Sequence, residues 1–324
     1  MDKNMHPKIP VAISRCLLGD NVRYNGDHKH NRFCTGVLSN HFEFVPICPE
    51  VEAGMPIPRK PIRLVQLGEG DIRAQESDNP NQDYTRAISE QAALFVQDKK
   101  GVSGFIATSK SPSCGLHDVK LYLPNGNPVN KTAGLFSAAL QRLDPLLPME
   151  ESGRLNDPAL RENFIMRVYT YHRWQQLNIR PISARDLVHF HSKHKYLVMA
   201  HSPSAYRALG RLVANAGTRP MTELAPDYIS TLMQALAKPA PRGRHCNVMQ
   251  HLMGYLKKLL PSDDRQELVR TIEDYREGIV PLIVPLALLR HHLQRWRDQQ
   301  QYILQQTYLD PYPYSLGLRS QVHP

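Results

Sequence analysis

Three of the five cysteines fall where short apolar runs end, and those three positions carry the chemistry of the chain. Cys16 follows Val11-Ala12-Ile13-Ser14. Cys48 follows the run Phe42 to Ile47, and Cys114 sits in Ser111-Pro112-Ser113-Cys114-Gly115 after Gly104 to Thr108. A cysteine followed by proline cannot lie inside a helix, because the residue before proline is pushed out of the α region and proline donates no amide hydrogen. Cys48 therefore marks a strand breaking into a loop. In an open sheet of mostly parallel strands, ligands bind outside the carboxyl ends of the strands, so three thiols at three strand exits can share one pocket.

Other reactive groups accompany them. The stretch Ile47 to Arg59 adds Glu50, Glu52 and Arg59, and the Cys114 loop adds Ser109, Lys110, Ser111 and Ser113. At least one of these serines is expected to cap its own turn. Gly19 and Asn25-Gly26 bracket a compact loop holding Arg23 and Tyr24. Tyr24 could stack on a ring and Arg23 could meet a phosphate, or both could simply pin the loop. Arg59 is a further candidate for substrate binding. Structural zinc sites use paired cysteines at close spacing, and the chain has no such pair. Four thiolates complete a [4Fe–4S] cluster; three leave one iron free to act as a Lewis acid, and iron is thiophilic. Glu50 and Ser111 would then lie close enough to move protons and position water. Cys34, inside the first crossover helix, reads as a small buried hydrophobe, and Cys246, beside Arg242, Arg244 and His245, as structural.

The elements that must position these groups follow from periodicity. Asn31 to Asn40 offers a short crossover helix. Asp83 to Lys99 places Tyr84, Ile88, Ala92, Leu94, Phe95 and Val96 on one helical face, and Lys131 to Leu143 reads as a last helix. Glu69 to Asp83 reads as a surface excursion and Asp144 to Asn156 as a hinge. Helical pattern resumes at Pro158 and runs to Trp174 with Leu160, Phe164, Ile165, Val168 and Tyr169 on its apolar face; Pro181 to Asp186 looks like a helix start, and the rest is helical with short breaks. The expected fold is an α/β domain with a doubly wound, mostly parallel sheet (1–150), a helical connector (151–180) and an all-α domain (181–324).

Composition bounds the partners. The chain of 324 residues is 41% hydrophobic, ordinary for a soluble globular protein of two domains. Its longest apolar stretch, Ile279 to Leu289, is broken by Pro281 and Pro285 and falls short of the roughly 20 residues a bilayer helix needs. Met1 to Pro10 shows no apolar leader, so a cytoplasmic location is expected, with reduced cysteines. The net charge of +10 is uneven: residues 1–150 carry 17 Lys and Arg against 16 Asp and Glu, and residues 151–324 carry 23 against 14. A neutral half joined to a basic half suggests that the second part handles a polyanion, with Arg185, Lys193, Lys195, Arg207 and Arg211 as candidate contacts; a solvated basic surface is the alternative. His191 and His194 could face a phosphate backbone or be ordinary surface residues. An assembly of identical subunits is compatible with the sequence.

Residues 8–150 resemble the thiouracil desulfidases. The resemblance rests on Ser14 to Gly26 (S-x-C-L-L-G-x-x-V-R-Y-x-G), Cys48 to Arg59 (C-P-E-x-x-x-G-M-P-x-P-R) and Ser111 to Gly115 (S-P-S-C-G). It implies ligation of a [4Fe–4S] cluster by Cys16, Cys48 and Cys114, with Glu50 and Ser111 as catalytic groups. From Pro181 to about Arg319 the chain resembles the YbgA-type helical domain, through His191 to Tyr196 and Ala200 to Pro203. Proteins that fuse the two resemble desulfidases acting on 4-thiouridine in tRNA. The implied reaction is hydrolytic and non-redox, giving uridine and hydrosulfide at the open iron. Two rivals remain: the same chemistry on free thiouracil or its nucleotides, and an iron–sulfur redox sensor that binds nucleic acid. A sensor has no need of a carboxylate such as Glu50 beside its thiols.

Overall fold

The structure is a computed structural model and describes residues 7–98 and 101–321. Residues 1–6 of the expected leader-free segment, and Lys99 at the expected end of the second helix, lie outside the described residues. The chain divides into two compact units, 1–156 and 157–324.

In chain order the first unit contains β1 (Ile9–Ser14), α1 (Arg32–Gly36), β2 (Phe42–Ile47), α2 (Pro49–Glu52), β3 (Ile62–Gly68), β4 (Asp71–Glu76), α3 (Thr85–Asp98), β5 (Phe105–Ala107), β6 (Val119–Tyr122), β7 (Pro128–Thr132), α4 (Leu135–Leu143) and β8 (Met149–Glu151). One sheet is entirely parallel, in the order β2-β1-β5-β8. Its middle strands are apolar on both faces, with Val11, Ala12, Ile13, Phe105, Ile106 and Ala107 fully buried, as a parallel strand covered on both sides requires. The chain runs from β1 to β2 on one side and then returns past β1 to β5. The carboxyl ends of β1 and β5 thus flank a switch point, where open sheets place their ligands.

A second, mixed sheet has the order β4-β3-β6-β7, with β3 parallel to β6 and antiparallel hairpins at both edges. The excursion expected over Glu69 to Asp83 therefore contains the turn of the β3–β4 hairpin, through Gly70 at a φ of +75°, and its second strand, β4. In β4 the polar Arg73 and Gln75 flank the buried Ala74, a pattern easily read as polar loop. Lys131 belongs to β7, and the helix expected from it starts at Leu135. Within 144–156, expected as a hinge, β8 pairs with β5, and Glu151 is buried because its carboxylate accepts the amides of Leu116 (2.8 Å) and His117 (3.3 Å). On α3, Ile88, Ala92 and Phe95 face inward, whereas Leu94 and Val96 are exposed because they fall off that stripe.

The second unit is helical: α5 (Pro158–Leu177), α6 (Ala184–His201), α7 (Pro203–Ala214), α8 (Met221–Ala235), α9 (Arg242–Gly254), α10 (Ser262–Arg276), α11 (Ile283–Arg295) and α12 (Arg297–Leu304). Asp157 caps α5 with Pro158 in its first turn, and Ser183 with Asp186 forms a reciprocal capping box on α6. Around Trp174 the core stacks aromatic rings: Trp174 on Tyr228 at 5.7 Å, and Phe190 on His194 at 3.9 Å. The architecture is α/β followed by all-α. Among the described residues no helix is long and apolar enough to cross a membrane.

Candidate active site

Beyond the carboxyl ends of β1, β2 and β5 lies a cavity of about 430 Å³ lined by Cys16, Cys48 and Cys114. Each thiol arrives differently. Cys16 sits in a 3-10 turn directly after β1, closed by Gly19 in the left-handed region at a φ of 102°. Cys48 is the residue before α2, whose first position is Pro49, so the Cys-Pro break is a helix start. Cys114 rides on a loop after β5 whose hydrogen bonds tie it to α4: Gly134 N donates to Gly115 O (2.8 Å), Leu135 N to Pro112 O (3.0 Å) and Ser137 Oγ to Cys114 O (2.6 Å).

All three thiols are held above the ordinary cysteine range, chiefly by burial. The Thr108 hydroxyl counters this at Cys16, with Arg23 and Lys29 nearby, and the Ser14 hydroxyl counters it at Cys114. Cys114 also feels the charge of Cys48, Glu50 and Cys16, which places the three sulfurs within electrostatic reach of one another. All five cysteines are unpaired by disulfides. Cys34 is fully buried outside the cavity and its thiol is pushed up to about 12 by desolvation; Cys246 is buried in the helical unit, its sulfur 3.7 Å from the Ile272 carbonyl. Neither is an activated thiol.

Glu50 is anchored on both oxygens. Oε2 accepts from Arg59 Nε (2.9 Å) and Nη2 (2.5 Å), and Oε1 accepts from Ser113 Oγ (2.7 Å). Ser111 Oγ lies 3.0 Å from Ser113 Oγ and accepts the amides of Ser113 (3.3 Å) and Cys114 (3.1 Å). Glu50, paired with the Arg59 guanidinium, accepts from Ser113, which orients the hydroxyls as Ser111 to Ser113 to Glu50. Ser111 thus combines the turn-capping role expected of one serine with a place at the head of a proton path. The sequence placed Ser113 among the hydroxyls around Cys114 without a role of its own, and gave no signal for Ser14 or Thr108. Arg23 and Tyr24 line the same cavity, Arg23 Cζ lying 5.7 Å from the Tyr24 ring. Arg59, expected as a substrate contact, spends its guanidinium on Glu50 and on the Pro56 carbonyl (3.3 Å). Glu52 reaches back to the Cys48 amide at 3.4 Å, the helix-capping role.

Among the described residues no group of three or more His, Cys, Asp and Glu side chains is gathered as one metal ion would require. A cluster ligated at separate irons spreads its thiolates more widely than a single ion does. Three thiols on three loops around one cavity, with Arg23, Lys29 and Arg59 near them to offset negative charge, fit such a group.

In the helical unit, Arg185, Arg207 and Arg211 are exposed and Lys193 and Lys195 half-buried. Lys193 and Lys195 leave α6 in different directions, and Lys195 Nζ sits 5.0 Å from the Tyr196 ring and 5.1 Å from that of Tyr302. Arg207 and Arg211 share one face of α7 at i, i+4 spacing. The two histidines suggested as phosphate contacts do not serve: His194 is buried against Phe190 and His191 bonds the Tyr228 hydroxyl at 3.2 Å, and desolvation holds their pKa values down at about 3 and about 4.

Fold and cavity together define an α/β domain built around three convergent thiols, a buried carboxylate and a hydroxyl pair, followed by a helical domain. Residues 11–152 match the family model described as 2-thiouracil desulfurase, and residues 195–313 match that of a protein of unknown function, DUF1722. The uncharacterised protein YbgA of Escherichia coli (strain K12) is 28% identical over 159 residues, covering 49% of this chain and 93% of that protein. The uncharacterised protein YbbK of Bacillus subtilis (strain 168) is 29% identical over 110 residues, 32% of this chain and 72% of that one. A solved structure of the [4Fe-4S]-dependent thiouracil desulfidase TudS shares 25% identity over 48% of this chain and 98% of its own, with a TM-score of 0.36. The chain thus pairs a segment similar to the 2-thiouracil desulfurases with one that matches DUF1722, and about half of it is similar to YbgA.

Proposed function

We propose that the first unit removes sulfur from 4-thiouridine in tRNA and that the basic helical unit helps to hold the RNA. The observation that carries the chemistry is the Ser111–Ser113–Glu50 chain beside three convergent thiols. In the overall reaction water adds to the thiocarbonyl carbon, the carbon–sulfur bond breaks and hydrosulfide leaves; carbon is not oxidised or reduced, so no electron carrier is needed. A [4Fe–4S] cluster held by Cys16, Cys48 and Cys114 would supply a Lewis acid for the departing sulfur. The protein's own groups do the proton work. Water beside Ser111 gives its proton along the two hydroxyls to Glu50, which Arg59 keeps aimed, and Glu50 returns it to the leaving group. A redox sensor would not require this carboxylate and its relay.

Supporting the RNA substrate are the charge surplus of residues 151–324 and the exposed Arg185, Arg207 and Arg211. The decisive experiment compares hydrosulfide release from thiolated tRNA and from thiouracil by anaerobically reconstituted protein. Faster turnover of tRNA per unit concentration supports the proposal. Turnover of thiouracil alone would make the free base the substrate, and release from neither would sink the desulfidase reading.

A further inference from the structure

A second cavity of about 630 Å³ opens on the mixed sheet and shares Ile62, Lys110 and Pro112 with the first. Its floor has an unusual charge arrangement. The register that sets Leu64 opposite Leu121 puts Arg63 beside Lys120, and Lys120 in turn faces Lys131 on β7. Three cations therefore stand in one row across three neighbouring strands, where like charges repel. Asp118, the cavity's one acidic lining residue, is committed to Lys131 at 2.9 Å. Arg63 and Lys120 are paired with no carboxylate among the described residues, and the buried Nε of Arg63 has no hydrogen-bond partner. Arg63 Cζ lies 5.9 Å from the Tyr122 ring, which holds the guanidinium over the sheet. At the junction of the two cavities Lys110 adopts a φ of 63°, a left-handed conformation uncommon for a lysine.

Two adjacent cations left without a carboxylate, one of them with an unsatisfied donor, are the electrostatic form of an anion site. We propose that this second cavity binds the phosphate of a pyrimidine nucleotide whose ring occupies the first, an inference that rests on the thiopyrimidine reading of the first cavity. The phosphate can belong to a mononucleotide or to an RNA backbone, since both present the same oxygens to Arg63 and Lys120.

Calorimetric titration of the full chain with uridine, uridine 5′-monophosphate and the dinucleotide uridylyl-uridine tests this without turnover. In the wild type a phosphate-bearing probe should bind about tenfold or more tighter than uridine, the order expected of a charge-assisted contact. Lys120→Glu, at an exposed position, and Arg63→Gln should each reduce that advantage to about threefold or less while uridine binding stays as it was. An advantage confined to the monophosphate assigns the site to mononucleotides; one shared by the dinucleotide assigns it to RNA. Equal binding of all three probes, or an advantage kept in both variants, overturns the proposal. Hydrosulfide release from thiouracil is measured in parallel: its absence with the phosphate advantage intact defeats the ring-site reading alone.

Discussion

Ser113 Oγ donates to Glu50 Oε1 at 2.7 Å across 63 positions of sequence, joining the loop after β5 to the first turn of α2. That bond makes the two motifs one device, because Ser111 reaches the carboxylate only through Ser113. Ser113→Ala should lower kcat for hydrosulfide release by roughly 10²-fold with KM little changed, the loss typical of a removed proton-transfer group. Ser113→Thr, which keeps the hydroxyl, should recover most of it. Unchanged kcat in the alanine variant would take Ser113 out of the path.

The Glu50–Arg59 pair is nearly sealed from solvent, with side-chain exposures of 12% and 4%. Removing one partner of such a pair strands a buried charge, at about 3–5 kcal/mol. Arg59→Met should therefore destabilise the protein more than Arg59→Met combined with Glu50→Gln. Denaturant unfolding of both variants checks this, and a double variant no more stable than the single one would contradict it.

Much of this arrangement was legible in the sequence. Apolar runs ending in Cys16, Cys48 and Cys114 marked strand exits, and parallel-sheet topology sufficed to bring those residues to one cavity. The second sheet was not legible, because β4 (Asp71-Ile72-Arg73-Ala74-Gln75-Glu76) has the composition of a polar loop and β6 and β7 are only four and five residues long. Nor was β8, whose Met149-Glu150-Glu151 has only a long-range reason to be buried. The roles of His194 and Arg59 depend on partners that no local spacing reveals: Phe190 stacks on the former and Glu50 fixes the latter.

Iron loading separates the cysteines by place. Cys16→Ala, Cys48→Ala and Cys114→Ala should each lose bound iron and its visible absorption after reconstitution. Cys34→Ala and Cys246→Ala, buried outside the cavity, should keep both. Full iron content in any of the first three would remove that residue from the ligand set.

The helical unit should be sensitive to acid. Burial lowers the His194 pKa to about 3 and the His191 pKa to about 4, against an ordinary 6.5. Below pH 6.5 the unfolded chain takes up protons that these folded side chains refuse, so stability is complete above that pH and falls as pH drops toward 4. The melting temperature of the full protein should decline over this window, and His194→Gln should flatten the decline. An unchanged slope in that variant would show that His194 does not titrate on unfolding.

Gly134 controls where Cys114 stands. A β-carbon there would lie 2.5 Å from both the carbonyl carbon and the oxygen of Ser113, backbone atoms that cannot rotate aside. Gly134→Ala must push the Cys114 loop off the start of α4, straining the bonds from Gly134, Leu135 and Ser137 that seat it. Overpacking of this kind costs about 1–3 kcal/mol, and the displaced thiol and Ser113 should lower iron content and turnover together. Gly210→Ala is the matched control, since it lies inside α7 where an added methyl meets nothing within 4 Å. There the change should raise helix stability by about 0.5–1 kcal/mol and leave iron content unaltered. Thermal unfolding and iron analysis on both variants decide the matter: a stable, fully loaded Gly134→Ala protein would mean that the loop position does not depend on this close approach.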